Sequence, residues 1–133
     1  MKEAINLISY YANAFVKEAK LTPCEDYRSK YDVKYDDGME EITADFAVAN
    51  IKIKHKTYCY TQGFTIHVNI NKNYFAIKRY DGKEKYYASY ADFREALNHI
   101  FFKTFDKFEE DYTMALDDFH TEDALAVSEV CYG

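Results

Sequence analysis

"YRSKYDVKYDDGMEEITADF", residues 27–46, decides the fold. Tyr27, Ser29, Tyr31, Val33 and Tyr35 alternate with Arg28, Lys30, Asp32 and Lys34, the period of a strand with two unlike faces. Asp37-Gly38 then reads as a two-residue hairpin turn, because a type I′ turn needs positive φ twice. Closing the chain there sets Val33 opposite Ile42 and Tyr31 opposite Ala44. The same closure sets Lys34 opposite Glu41 and Lys30 opposite Asp45. Apolar and charge pairing thus select one register.

Working outward, the same test predicts further turns. One at Ala49-Asn50 would pair Phe46 with Ile53 and Asp45 with Lys54. One at Thr61-Gln62 would pair Cys59 with Phe64 and Thr57 with Ile66. One at Lys72-Asn73 would pair Ile70 with Phe75 and Val68 with Ile77. Asp81-Gly82 would pair Arg79 with Glu84 and Ile77 with Tyr86. The expectation is a six-stranded antiparallel meander.

Helices flank it. Ile5, Ile8, Ala12, Phe15, Val16 and Ala19 recur at helical spacing over residues 3–20, and Pro23 closes that helix. Ser89 and Asp92 have capping-box spacing ahead of Phe93, Leu97, Ile100, Phe101, Thr104 and Phe108, with Phe102 and Phe105 widening the stripe. Thr121, followed by Glu122 and Asp123, reads as a second start signal for a short helix over 121–131. The predicted architecture is α+β, residues 1–133 as a single domain: an N-terminal helix, the six-stranded meander, and two or three C-terminal helices packed on one sheet face.

At 133 residues and 48% hydrophobic content the chain supports one real core and not a disordered segment. Its net charge of −6 is uneven. Residues 50–88 carry eight Lys/Arg and two acids, whereas residues 89–133 carry three basic residues and eleven acids. Overall acidity speaks against general nucleic-acid binding; the middle third speaks for it. The three cysteines, with no CxxC, fit reduced thiols and a cytoplasmic setting. No apolar run is long enough to span a membrane, and Ala12-Asn13-Ala14 belongs to a helix and not to a signal cleavage site. Fourteen Lys against three Arg, with abundant Ile, Asn and Tyr, suggests an AT-rich coding genome, such as a low-GC bacterium or its phage.

"NIKIKHKTYCY", residues 50–60, carries the main functional expectation. In the six-stranded register Lys52, Lys54, Lys56, Tyr58 and Tyr60 share the helix-free face with His67, Lys78, Tyr80, Lys83, Lys85 and Tyr87. Ile51, Ile53, His55, Cys59 and Tyr86 fall on the covered face. Such a face needs no partner, since antiparallel sheets keep one side wet. Read functionally, it is a basic, ring-bearing platform. Rings stack on bases while lysines meet phosphates in single-strand binders, yet no RRM-type aromatic motif occurs. Tyr also supplies contact area to protein partners at low entropy cost. Acids in "FEEDY" (108–112) and "LDDFHTED" (116–123) read as solvated helix faces, or as a negative patch for a basic groove. Two patches of opposite sign also permit a homo-oligomer.

Enzyme signatures are absent: no phosphate-cradling glycine loop, no H-E-x-x-H, no G-x-S-x-G and no metal-spaced Cys/His set. Cys59 with His55 or His99 would suit a thiolate nucleophile, but a buried cysteine on an apolar face behaves as a small hydrophobe. Asp117-Asp118 with His120 gives poor metal geometry on its own. No catalytic residue, metal or cofactor is expected. In size, acidity and layout the chain is similar to small phage-encoded inhibitors of bacterial defence, toxin-neutralising immunity proteins and acidic secretion chaperones, and no motif selects among them. The functional expectation is a non-enzymatic protein-binding module, an inhibitor or adaptor acting by surface occlusion. Single-stranded nucleic-acid binding on the sheet face is the first alternative, and a small-molecule or nucleotide site between helices and sheet the second.

Overall fold

The computed structural model describes residues 2–36 and 39–132, without the side chains of 36 and 123–132. The Asp37-Gly38 turn, Asp123, Glu129 and Cys131 are therefore outside what is described of turn or side chain. The element order is α1 (Lys2–Leu21), β1 (Cys24–Asp36), β2 (Met39–Ile53), β3 (Lys56–Asn69), β4 (Tyr74–Arg79), β5 (Glu84–Tyr87) and α2 (Tyr90–Tyr132). The strands form one antiparallel sheet in the order β1-β2-β3-β4-β5. Both helices pack on the same face, so the α+β reading holds. The expected six strands, however, are five, and the expected two or three C-terminal helices are one.

β1 and β2 pair in the predicted register: Lys30↔Asp45, Tyr31↔Ala44, Val33↔Ile42 and Lys34↔Glu41. The next expectation fails. Ala49-Asn50 is not a turn; β2 runs through it to Ile53. Asn50 instead adopts positive φ (64°) inside the strand, and the β2–β3 register shifts there. Asparagine tolerates this left-handed conformation in a bulge as readily as in a turn. The shift also changes the phase of burial. Ile42, Ala44, Phe46 and Val48 are buried at every second position, and Ile51 follows three residues after Val48.

The reversal occurs at Lys54-His55, where Lys54 has φ 55°. No Gly or Asn marks this turn, so the sequence concealed it. Thr61-Gln62, with no turn former, lies within the continuous strand β3, where Phe64 pairs with Phe46 and not with Cys59. β3–β4 joins through Ile70–Asn73, setting Val68 opposite Phe75 and Ile66 opposite Ile77, two residues off the expected pairing. The connection around Asp81-Gly82 spans Tyr80–Lys83. Tyr80 N–H donates to Gly63 O (3.0 Å) and Gly82 N–H to Arg79 O (3.1 Å). This wider loop sets Lys78 opposite Glu84 and Ile77 opposite Lys85, one residue off the expectation.

α1 turns Ala4, Ile8, Tyr11, Ala12, Phe15 and Ala19 onto the sheet. Thr22 ends it by donating its N–H and its hydroxyl to Ala19 O (3.2 and 2.8 Å), with Pro23 next. α2 starts at the predicted cap: Ser89 Oγ accepts from Asp92 N–H (3.2 Å). Phe93, Leu97, Ile100, Phe101, Thr104, Phe105 and Phe108 are buried, whereas Phe102 is exposed. No glycine or proline occurs between 90 and 132, so nothing stops the helix at Thr121, and the stripe continues through Ala115 and Phe119. At the core's centre, the Phe15 ring lies 4.8 Å from Phe105 and 5.4 Å from Phe46, centroid to centroid. Such ring pairs add about 0.5–1.5 kcal/mol each beyond buried area.

Candidate functional site

A two-residue turn puts the residues flanking it on one face. Ile53 pairs with Lys56 and Ile51 with Tyr58, so Lys56, Tyr58 and Tyr60 point to the helix side. Tyr58 and Tyr60 pack against the core. Lys56 forms an ion pair with Glu122 of α2, to which Tyr58 Oη also donates (3.3 Å). The hydrogen bond raises the Lys56 amine above its ordinary value and lowers the Glu122 carboxyl. Lys54, in the turn, holds its ammonium 5.4 Å from the centroid of the Phe119 ring. Of the opening lysines only Lys52 lies on the open face, exposed. Lys85 and Tyr87 take the helix side by pairing with Ile77 and Phe75, and Tyr86 the open side by pairing with Ala76. Tyr80 and Lys83 are exposed in the β4–β5 loop. His67 and Lys78 are on the open face as expected. The single Lys/Tyr platform is therefore not what these strands build: its residues divide between both sides of the sheet.

The open face has a different character. Much of it is small: Thr43 and Ala47 on β2, Gly63 and Thr65 on β3 and Ala76 on β4, with Asp45 and His67 between them. Gly63 stands opposite Ala47, and a methyl group on it would collide with the Phe46 carbonyl oxygen. Glycine is what lets the two backbones approach there. Over Thr43, Asp45 and Thr65 runs a groove of about 630 Å³, between Lys30 and Asp32 on one flank and His67 on the other. It shares Asp45 and Thr65 with a second hollow of about 230 Å³ that reaches Arg28, Lys78 and Tyr80. The rim carries both signs. Arg28 Nε lies 2.7 Å from Asp45, so Asp45 is held by Arg28 and not by Lys30.

One end of the face is a linked polar and aromatic cluster. Glu41, expected to meet Lys34, instead pairs with His67 Nε2. The His67 ring lies 5.1 Å from Tyr74, and Tyr74 lies 5.1 Å from Tyr86, both edge-on. The two phenols converge on Glu84, Tyr86 Oη donating at 3.1 Å and Tyr74 Oη at 3.5 Å. Hydrogen bonding with Tyr86, then desolvation and the Glu84 charge, push the Tyr74 phenol far up. Residue parity alone would have found this cluster once the β4–β5 register was known. The groove floor left a fainter trace: small residues at 43, 47 and 49, interrupted by Asp45, and at every second position from 57 to 65.

Cys59 is exposed on the open face and His99 is exposed on α2, so the sheet separates the two. His55 sits in the β2–β3 turn, also exposed. The expectation of a buried Cys59 therefore fails with the register that produced it. His120 stacks edge-on against Phe119. Among the described residues, no group of His, Cys, Asp or Glu is arranged to hold a metal ion. Nor, among the described residues, is any helix long and apolar enough to cross a membrane. Between β5 and α2 lies an open groove of about 660 Å³, where Arg79 and Lys85 face Asp92, Glu95 and His99.

Comparison with family models, with curated proteins and with solved structures returns no match.

Proposed function

We propose that the chain is a non-enzymatic protein-binding module, a small inhibitor or adaptor that occludes its partner through the open sheet face. The observation that carries this reading is the groove over Thr43 and Thr65 with the adjoining hollow over Ala47 and Gly63, rimmed by charges of both signs. A small floor admits a partner's protruding helix or loop, and a mixed rim fixes register and excludes wrong partners. Arg28, Lys30, Lys78 and Tyr80 supply one kind of contact; Asp32 and the His67–Tyr74–Tyr86 cluster supply another. The reduced thiols and the lysine bias support a cytoplasmic role in a low-GC bacterium or its phage. A single-stranded nucleic acid is a poorer fit. Glu41, Asp32, Asp45 and Glu84 share this face, whereas Lys56 is committed to Glu122 on the other.

The test is capture of partners from bacterial lysate, with and without nuclease, by the native chain and by a Thr43→Arg/Thr65→Arg variant. The native chain should retain a protein that nuclease treatment does not release, and the variant, its groove filled, should lose it. Capture that nuclease abolishes would assign the face to nucleic acid. Capture unaffected by the variant would move the contact surface elsewhere.

A further inference from the structure

β1 is an edge strand of thirteen residues. Among the described residues, its side away from β2 makes no backbone hydrogen bond. Such an edge is a template for another strand unless something blocks it. Nothing covers this one: α1 lies on the flat of the strand, where Ser29 Oγ donates to Ala12 O and Tyr31 Oη to Ser9 Oγ.

The side chains along the edge are unusual in two respects. On the open face, positions 30, 32 and 34 read Lys, Asp, Lys, and among the described residues none has an ion-pair partner. Arg28 has taken Asp45, His67 has taken Glu41, and Asp32 stands opposite Thr43. On the helix face, Tyr31 and Tyr35 remain 43% and 67% exposed. A strand edge with unspent charges and wet rings is not fully accounted for by its own chain.

We propose that two copies of this chain pair through β1, antiparallel and centred on Val33, so that two five-stranded sheets become one continuous sheet. A two-fold axis normal to the sheet at Val33 places Val33 opposite its own mate and Tyr31 opposite the second copy's Tyr35. On the other face the same register places Asp32 opposite the second copy's Lys34, and Lys30 opposite position 36, an aspartate. By symmetry each contact occurs twice. Neighbouring registers fail. Centring on Tyr31 gains Lys30 against Asp32 but sets Arg28 against Lys34 and Asp26 against position 36, an aspartate; centring on Ser29 sets Arg28 against Lys30 and Asp26 against Asp32. The alternating charges that discourage other strands thus select this one partner in this one register. Both helix layers end on the same side of the joined sheet, which brings the Tyr31 and Tyr35 rings of the two copies to the seam.

The inference does not depend on the proposed groove function, and its test is separate. Light scattering coupled to size exclusion should show the native chain as a dimer whose fraction rises with concentration. Asp32→Lys turns two attractions into two repulsions and should raise the dissociation constant roughly tenfold or more. Asp32→Lys/Lys34→Asp restores the complementary order and should recover the dimer. Both residues are exposed, and circular dichroism confirms that each variant is folded. A native chain that stays monomeric at every concentration would overturn the proposal. So would a dimer indifferent to Asp32→Lys, or a monomeric double variant. Amide exchange gives an independent reading: residues 29–35 should gain protection with concentration, and uniform exchange would likewise overturn the pairing.

Discussion

Phe46 and Ala47 are neighbours on β2, as are Phe64 and Gly63 on β3. The Phe46–Phe64 pair faces the helices with ring centroids 5.0 Å apart; the Ala47–Gly63 pair, one step along, lies on the opposite face, buried at the bottom of a hollow. The two pairs share backbone, pairing partner and distance from the strand ends. They differ only in side-chain volume and in the face they occupy. On one side bulk is concentrated until Phe15, Phe46, Phe64 and Phe105 fill the space under the helices. On the other side bulk is withdrawn until the backbone itself lines the groove. Core and groove are therefore two sides of one thin layer, and a change on one face is felt on the other through the shared strands.

That comparison can be broken most severely from the packed side. Phe46→Ala empties the centre of the core and should cost about 3–5 kcal/mol in denaturant unfolding, with the groove lost only because the sheet is lost. Gly63→Val attacks the opposite face, driving a branched side chain into the Phe46 carbonyl; we expect about 1–3 kcal/mol. A smaller loss at Gly63 would mean that β2 and β3 part without strain. Thr65→Arg, exposed on the groove floor, sharpens the contrast: stability should stay within about 0.5 kcal/mol of the native value while partner capture falls.

The smallest effect lies at the exposed Lys56–Glu122 pair. The Glu122 carboxyl is lowered from 4.5, so its contribution is complete above that pH and lost as pH falls through its folded value. The Lys56 amine is raised from 10.5, so its contribution is complete below that pH and lost as pH rises through its folded value. Melting curves of the native chain and Lys56→Gln should differ by a constant, small amount between those limits and converge in acid. A gap that widens in acid would assign the pair a different sign.

Legibility in the sequence followed the number of independent signals at each turn. The β1–β2 register rested on Asp37-Gly38, on apolar pairing and on charge pairing, and the strands agree with it throughout. Ser89 was legible as a helix start because a cap and a hydrophobic stripe met there. Ala49-Asn50 offered a lone asparagine, whose left-handed backbone serves a bulge and a turn alike. The true reversal at Lys54-His55 has no glycine, proline or asparagine to mark it. Missing it transferred Lys56, Tyr58 and Tyr60 to the wrong face, because side-chain direction inverts with every residue of error. The Lys/Tyr platform was thus the part of the candidate site most exposed to miscounting. His67 and Lys78 survived because the two-residue slip between β3 and β4 preserves parity. α2 was cut at Thr121 because a start signal is legible inside a helix that nothing has stopped.

Strands ordinarily lengthen by an even number of codons, since adding one residue would turn every later side chain over. Asn50 relaxes that arithmetic. By absorbing a residue in a left-handed kink, with its amide donating to Asp26 (3.3 Å), it lets Ile51 return to the dry side. The odd residue is thus accommodated within β2, and the hairpin tip that carries Lys54 and His55 continues beyond it while the sheet beneath keeps its polarity.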